Sequence, residues 1–182
     1  DSSTSRGLGD VYKRQARRTA KGLQALAGFD IPLVGLDPAM TLVYRQEYRK
    51  IAGLECPDVL LPQEWLLKAL DGQPKLPAKS VAFRLLGHCT EKTNAAPSAA
   101  MWVKVFEQAG LQVAAEATGC CGMSGTYGHE ARNLETSRTI FAQSWEPALD
   151  SGAAAEPLAT GYSCRSQVAR LKNATLRHPI QV

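Results

Sequence analysis

The chain has 182 residues, of which 45% are hydrophobic and 21% charged, and its formal net charge is +4. This length allows one domain with a packed core, and the composition is ordinary for a globular protein. There is no apolar run of about 18 residues and no basic stripe interleaved with aromatic residues, which argues against a transmembrane segment and against nucleic acid as a partner.

Residues 1–15 differ in character from the rest of the chain, because they resemble translated sequencing-adapter read-through. The alternative is a natural disordered tail. We predict that residues 1–15 are an artefact or such a tail, that residues 16–182 form one cysteine-rich domain, and that this domain is a fragment of a larger protein.

The rest of the chain alternates between helical and strand patterns. In chain order, the sequence predicts a helix over 16–27, a strand over 31–36, a helix over 38–52, a helix from 62 that ends at 71–72, a strand over 80–86, a helix over 97–109, a strand over 111–115, a helix over 129–145 that stops before Pro147, a strand over 157–160 and a last helix after it. This order predicts an α/β fold, a mostly parallel sheet with helices on both faces.

The chain has five cysteines, an odd number that fits metal-bound or free thiols in a reducing cytoplasm better than a secreted disulfide framework. Cys89, Cys120, Cys121 and Cys164 each come just after a predicted strand. Ligands of open α/β sheets bind at the carboxyl ends of the strands. We therefore expect these cysteines to converge on one edge of the sheet, and we expect Cys56 to be a packing residue.

Cys120 and Cys121 are adjacent and lie in a glycine-rich turn, residues 119–125. Two neighbouring thiols in such a turn do not help a core to pack, but thiolates are soft metal ligands and glycine lets the backbone come close to a bulky bound group. Four thiolates fit an iron–sulfur cluster or zinc. No Cys-x2-Cys pair is present, and adjacent cysteines point apart, which favours a cluster with several irons. Two alternatives stay open: a zinc-stabilised interaction domain, and a thiol–disulfide module that acts through Cys120 and Cys121.

The motifs resemble a known family. His88-Cys89, Gly119-Cys120-Cys121-Gly122 and Gly161-Tyr162-Ser163-Cys164 are similar to the cysteine-rich CCG domain of heterodisulfide reductase, glycolate oxidase and anaerobic glycerol-3-phosphate dehydrogenase subunits. The fuller motif resembles the C-terminus of FAD-linked oxidase/iron–sulfur proteins of the bacterial D-2-hydroxyglutarate dehydrogenase type. The resemblance implies a 4Fe-4S type cluster on Cys89, Cys120, Cys121 and Cys164, with His88 and Gly122 beside it.

The resemblance also implies a role in electron transfer from a 2-hydroxyacid. FAD and ferredoxin-like modules would lie upstream, a quinone or electron carrier would accept the electrons, and this fragment alone would be inactive, with no catalytic residue of its own. The protein would be cytoplasmic, or peripheral at the inner membrane. Two positions depart from the family pattern, because Gln167 stands three residues after Cys164 where a second cysteine is usual, and residues 35–38 hold no cysteine.

Overall fold

The computed structural model describes the backbone of residues 2–182 and the side chains of residues 9–182. The helices are α1 (Ser2–Ala27), α2 (Pro38–Leu42), α3 (Pro62–Ala69), α4 (Cys89–Asn94), α5 (Ser98–Gln108), α6 (Leu134–Leu149) and α7 (Tyr162–Lys172). The strands are β1 (Leu33–Val34), β2 (Val59–Leu60), β3 (Ala82–Leu86), β4 (Gln112–Glu116) and β5 (Glu156–Ala159). A π-helical turn (Val43–Glu47) and short 3-10 turns at Tyr48–Lys50, Tyr127–His129, Ala131–Asn133 and Pro179–Gln181 complete the chain.

The main sheet has three parallel strands in the order β4-β3-β5. Phe83 of β3 pairs with Val113 on one side and with Glu156 on the other. Helices α4 and α5 connect β3 to β4, and α6 connects β4 to β5 across the sheet. Because the strands are parallel, the segments that come after them leave from the same edge.

The central strand β3 separates two cores. Phe83 and Leu85 pack with Trp102 and Phe106 of α5, and α3 adds its leucines to this side. The other core, built on α6 and α7, contains Leu86, Cys121, Met123, Phe141, Trp145, Ala159, Cys164, Val168 and Leu176. Helices therefore cover both faces of a parallel sheet, which confirms the predicted fold class.

A smaller unit precedes the main sheet. Its strands β1 and β2 pair in parallel, Leu33 with Val59. Helix α1 packs Ala16 and Ala20 against Tyr48, and Cys56 is half-buried against the same cluster, away from the other cysteines. None of the helices described for residues 2–182 combines the length and apolar character needed to cross a membrane.

Several boundaries differ from the expected ones. Helix α1 begins at Ser2, so residues 2–15 have helical backbone where a tail was one expectation. Their origin stays a prediction, and Asp1 lies outside the described residues. The strand β2 and the helix α4 were missed because each is too short to show a period. The expected helix over 129–145 begins later, at Leu134, and runs through Pro147, which it accommodates in its last turn.

Candidate functional site

The first cysteine of the site, Cys89, begins α4 directly after β3. His88 caps this helix, because its Nδ1 accepts the backbone N–H of Thr90 at 3.2 Å. The backbone N–H of His88 donates to Thr160 Oγ1 at 2.9 Å, and the Thr160 hydroxyl donates to the buried carboxylate of Glu91. The segments after β3 and β5 are thereby tied together beside Cys89.

The Cys-Cys-Gly turn, residues 120–122, comes after β4. Gly122 has a φ of +82°, in the left-handed region that side chains rarely adopt. Its carbonyl accepts the hydroxyl of Ser137 at 2.8 Å, and its N–H donates to Cys120 Sγ at 3.3 Å. A Cβ on residue 122 would lie 2.2 Å from the backbone oxygen of Ser137. Glycine is required here for both conformation and space.

Gln167 supports this turn through Ser137. It is fully buried, and its Nε2 donates to Ser137 Oγ at 2.8 Å. Because the Ser137 hydroxyl hydrogen goes to the Gly122 carbonyl, the amide of Gln167 must donate and not accept at this contact. Gln167 is thus a support for the Cys-Cys-Gly turn.

The last cysteine, Cys164, lies in the first turn of α7. Gly161 caps this helix, and a Cβ on it would lie 2.3 Å from His88 Cδ2 and 3.1 Å from Cys164 Sγ. The imidazole of His88 therefore packs directly on the glycine backbone. On its other side, His88 Nε2 lies 3.1 Å from Ser163 Oγ.

The four cysteines form a row of neighbouring thiols. Cys89 lies next to Cys120, and Cys121 lies next to both Cys120 and Cys164. Cys121 and Cys164 are buried, whereas Cys89 and Cys120 are half-buried. This cysteine row joins segments from three strands that are far apart in sequence.

Two of these thiols hold their protons firmly. The neighbouring thiol of Cys120, together with burial, raises the pKa of Cys89 far above its ordinary value. At Cys121 the neighbouring Cys120 lowers the pKa, but Cys164 and burial outweigh it and raise the pKa to about 12. Both thiols therefore stay protonated at neutral pH. Metals bind thiolates, so a metal ion would have to displace these protons when it binds.

A cavity of about 470 Å³ opens beside the row. Three of the cysteines line it, together with His88, Ser163 and residues of α2 and the loop after the Cys-Cys-Gly turn. Two large side chains of its rim are exposed, Met40 by 49% and Tyr162 by 68%. A larger hollow of about 570 Å³ runs along one face of α1 alone and contains no cysteine.

Asp37 is a rim residue that the sequence pattern did not single out, since it belongs to a segment marked only by its lack of cysteine. Its Oδ1 accepts the N–H groups of Ala39 and Met40 at 3.0 and 3.2 Å, and its Oδ2 accepts the N–H of Tyr162 at 2.9 Å. One carboxylate therefore caps α2 and α7 together and fixes the smaller unit at the cavity. The Asp-Pro pair signalled the first cap, but nothing in the sequence signalled the second.

The structure thus brings the predicted site residues into one region: His88, Cys89, Cys120, Cys121, Gly122 and Cys164. Among the described residues, no three His, Cys, Asp or Glu side chains are arranged to hold a single metal ion. The thiols stand in a row and do not surround one point. Their roles as ligands stay predictions.

A parallel α/β domain with a thiol row beside a cavity is the class of protein that fold and site define. The chain is 60% identical over 177 residues to a D-2-hydroxyglutarate dehydrogenase of Pseudomonas putida, covering 97% of this chain and 17% of that protein. It is 42% identical over 178 residues to the D-2-hydroxyglutarate dehydrogenase of Escherichia coli, covering 97% of this chain and 18% of that protein.

A more distant similarity involves another dehydrogenase. One component of the anaerobic glycerol-3-phosphate dehydrogenase of Escherichia coli is 24% identical over 181 residues, which cover 96% of this chain and 45% of that component. No protein-family profile matches the chain, and no solved structure matches it. The chain spans about a sixth of the length of the D-2-hydroxyglutarate dehydrogenases that it matches.

Proposed function

We propose that this chain is the iron–sulfur, electron-transfer domain of an FAD-dependent 2-hydroxyacid dehydrogenase, similar to the D-2-hydroxyglutarate dehydrogenases. The observation that carries the proposal is the cysteine row beside a cavity. The similarity to dehydrogenases supports an oxidoreductase context. A packed core alone does not explain four free thiols from three segments that lie side by side.

The donor set fits an iron–sulfur cluster. Its ligands Cys89, Cys120, Cys121 and Cys164 offer soft thiol sulfur, and clusters take one thiolate per iron at separate positions. Adjacent cysteines point apart, so Cys120 and Cys121 suit a cluster with several irons better than the tetrahedral shell of one zinc ion. A 4Fe-4S type cluster would take all four cysteines, and when bound it supplies one-electron transfer.

The residues around the row have separate tasks in this proposal. Gly122 allows the backbone of the Cys-Cys-Gly turn to stay close to the bound group, and Ser137 holds its carbonyl. His88 and Gly161 pack against each other beside Cys164 and keep α7 next to α4.

The remaining parts of the pathway lie outside this chain in the proposal. FAD and ferredoxin-like modules would occupy the rest of the polypeptide, which in the relatives is about five times longer than the matched part. The flavin would oxidise the 2-hydroxyacid, the cluster would pass the electrons, and a quinone or carrier protein would accept them. The chain alone would be inactive, in a cytoplasmic or peripheral membrane protein.

Anaerobic reconstitution tests the proposal. The chain should bind iron and acid-labile sulfide, Cys121→Ser should lose most of both, and Cys56→Ser should keep them because Cys56 packs elsewhere. Zinc without sulfide would instead indicate an interaction domain. A titratable disulfide without any metal would instead indicate a thiol–disulfide module.

A further inference from the structure

Ser163 is a cavity residue that lies outside the proposed ligand set. Three small hydroxyl side chains line the cavity, and they differ in what holds them. Thr90 lies next to the thiol of Cys89, and Ser124 is exposed. Ser163 is half-buried and is held by a neighbouring imidazole.

The hydrogen bonds of His88 decide which atom donates to Ser163. Nδ1 accepts the backbone N–H of Thr90, so it carries no hydrogen. The ring hydrogen is thereby assigned to Nε2, which donates to Ser163 Oγ at 3.1 Å. The serine oxygen is the acceptor in this contact, and its own hydrogen is left for another partner.

That hydrogen has no acceptor in the described part of the chain. Ser163 lines the same cavity as Cys89, Cys120 and Cys121, so a group bound there would meet its hydroxyl. The imidazole packs with its Cδ2 and Cγ against Gly161, which supports its position. The structure therefore places a hydroxyl with a hydrogen to donate at the edge of a cavity bordered by sulfur.

We propose that Ser163 donates a hydrogen bond to a sulfur atom of the cluster bound in this cavity, and that His88 is the positioning residue that orients the hydroxyl. The inference rests on the proposed function, since it needs a sulfur-rich group in the cavity. Hydrogen bonds to cluster or ligand sulfur stabilise the reduced, more electron-rich form and raise the reduction potential. Ser163 thus tunes the potential without being a ligand.

The test measures reduction potentials of the reconstituted chain by anaerobic titration with mediator dyes. Ser163→Ala should keep its iron and sulfide but lower the reduced-to-oxidised ratio about tenfold at a fixed potential, which is about 59 mV for a one-electron couple. Ser163→Thr keeps a hydroxyl and should restore most of the ratio. Ser166→Ala is the matched control on the same helix and should match the wild type.

A double-mutant cycle tests the positioning role of His88. His88→Ala should lower the potential in the wild-type background but change it little in the Ser163→Ala background, because the hydroxyl it orients is gone. Independent, additive shifts would overturn that role. A loaded Ser163→Ala variant with wild-type potential would overturn the inference and leave the cluster proposal intact, whereas a wild-type chain without iron and sulfide would overturn both.

Discussion

Replacement of Gly122 by alanine tests the central turn of the site. Two costs add at this position. The φ of +82° places alanine in the left-handed region, at about 1–2 kcal/mol. The new Cβ would also lie 2.2 Å from the Ser137 oxygen and 3.1 Å from its carbonyl carbon, which are backbone atoms of α6 and cannot rotate away.

Overpacking of this kind costs about 1–3 kcal/mol, so Gly122→Ala should lose about 2–5 kcal/mol of unfolding free energy in total. Gly125→Ala is the matched control. Gly125 also has a positive φ, +63°, but its Cβ would meet nothing within 4 Å. It should therefore lose only the conformational cost of about 1–2 kcal/mol.

Urea unfolding followed by circular dichroism measures both variants. The difference between them isolates the contact with Ser137, and we expect about 1–3 kcal/mol. Equal losses would refute the reasoning, because they would mean that the turn has room for a side chain. In the reconstituted protein, Gly122→Ala should also lower the iron content, while Gly125→Ala should not.

Three further predictions concern other parts of the fold. Burial, aided by a nearby arginine cation, lowers the pKa of His178 to about 4, below the unfolded value near 6.5, so the unfolding free energy should fall by up to about 3 kcal/mol as the pH drops through that window. His178→Asn should remove this pH dependence in urea titrations at pH 7 and pH 4.5, and an unchanged slope would contradict the cause. Arg84→Met should lower the unfolding free energy by about 2–4 kcal/mol, because the nearly buried guanidinium donates to a glutamate carboxylate and to two backbone carbonyls. Its control is Arg49→Met, which removes an exposed ion pair and should change the unfolding free energy by less than about 0.5 kcal/mol. Similar losses in both variants would contradict a stabilising role of the buried network. Ser137→Ala should lower the unfolding free energy by about 1–3 kcal/mol in thermal or urea unfolding, because the Gly122 carbonyl and the Gln167 amide both lose their hydrogen-bond partner. Thr139→Ala, which removes an exposed hydroxyl from the same helix, is its control.

Much of the fold could be predicted because its signals are local. The alternation along β3 and the apolar stripe of α5 are visible in short windows, and together with the order of elements they predict a parallel α/β sheet. Two short elements were missed. Strand β2 has two residues, and α4 has six, so neither shows a period.

The sequence by itself determined which thiols lie together, since thiols that come after successive strands of a parallel sheet must leave from one edge. Only the tertiary structure decided how they are supported. Asp37 meets Tyr162 across 125 positions, His88 meets Ser163 across 75, and Gln167 meets Ser137 across 30. Such contacts leave no periodic trace, because they depend on how separate loops pack at the sheet edge. For that reason the sequence showed that position 167 holds glutamine and not cysteine, but it did not show that this glutamine donates a hydrogen bond to Ser137.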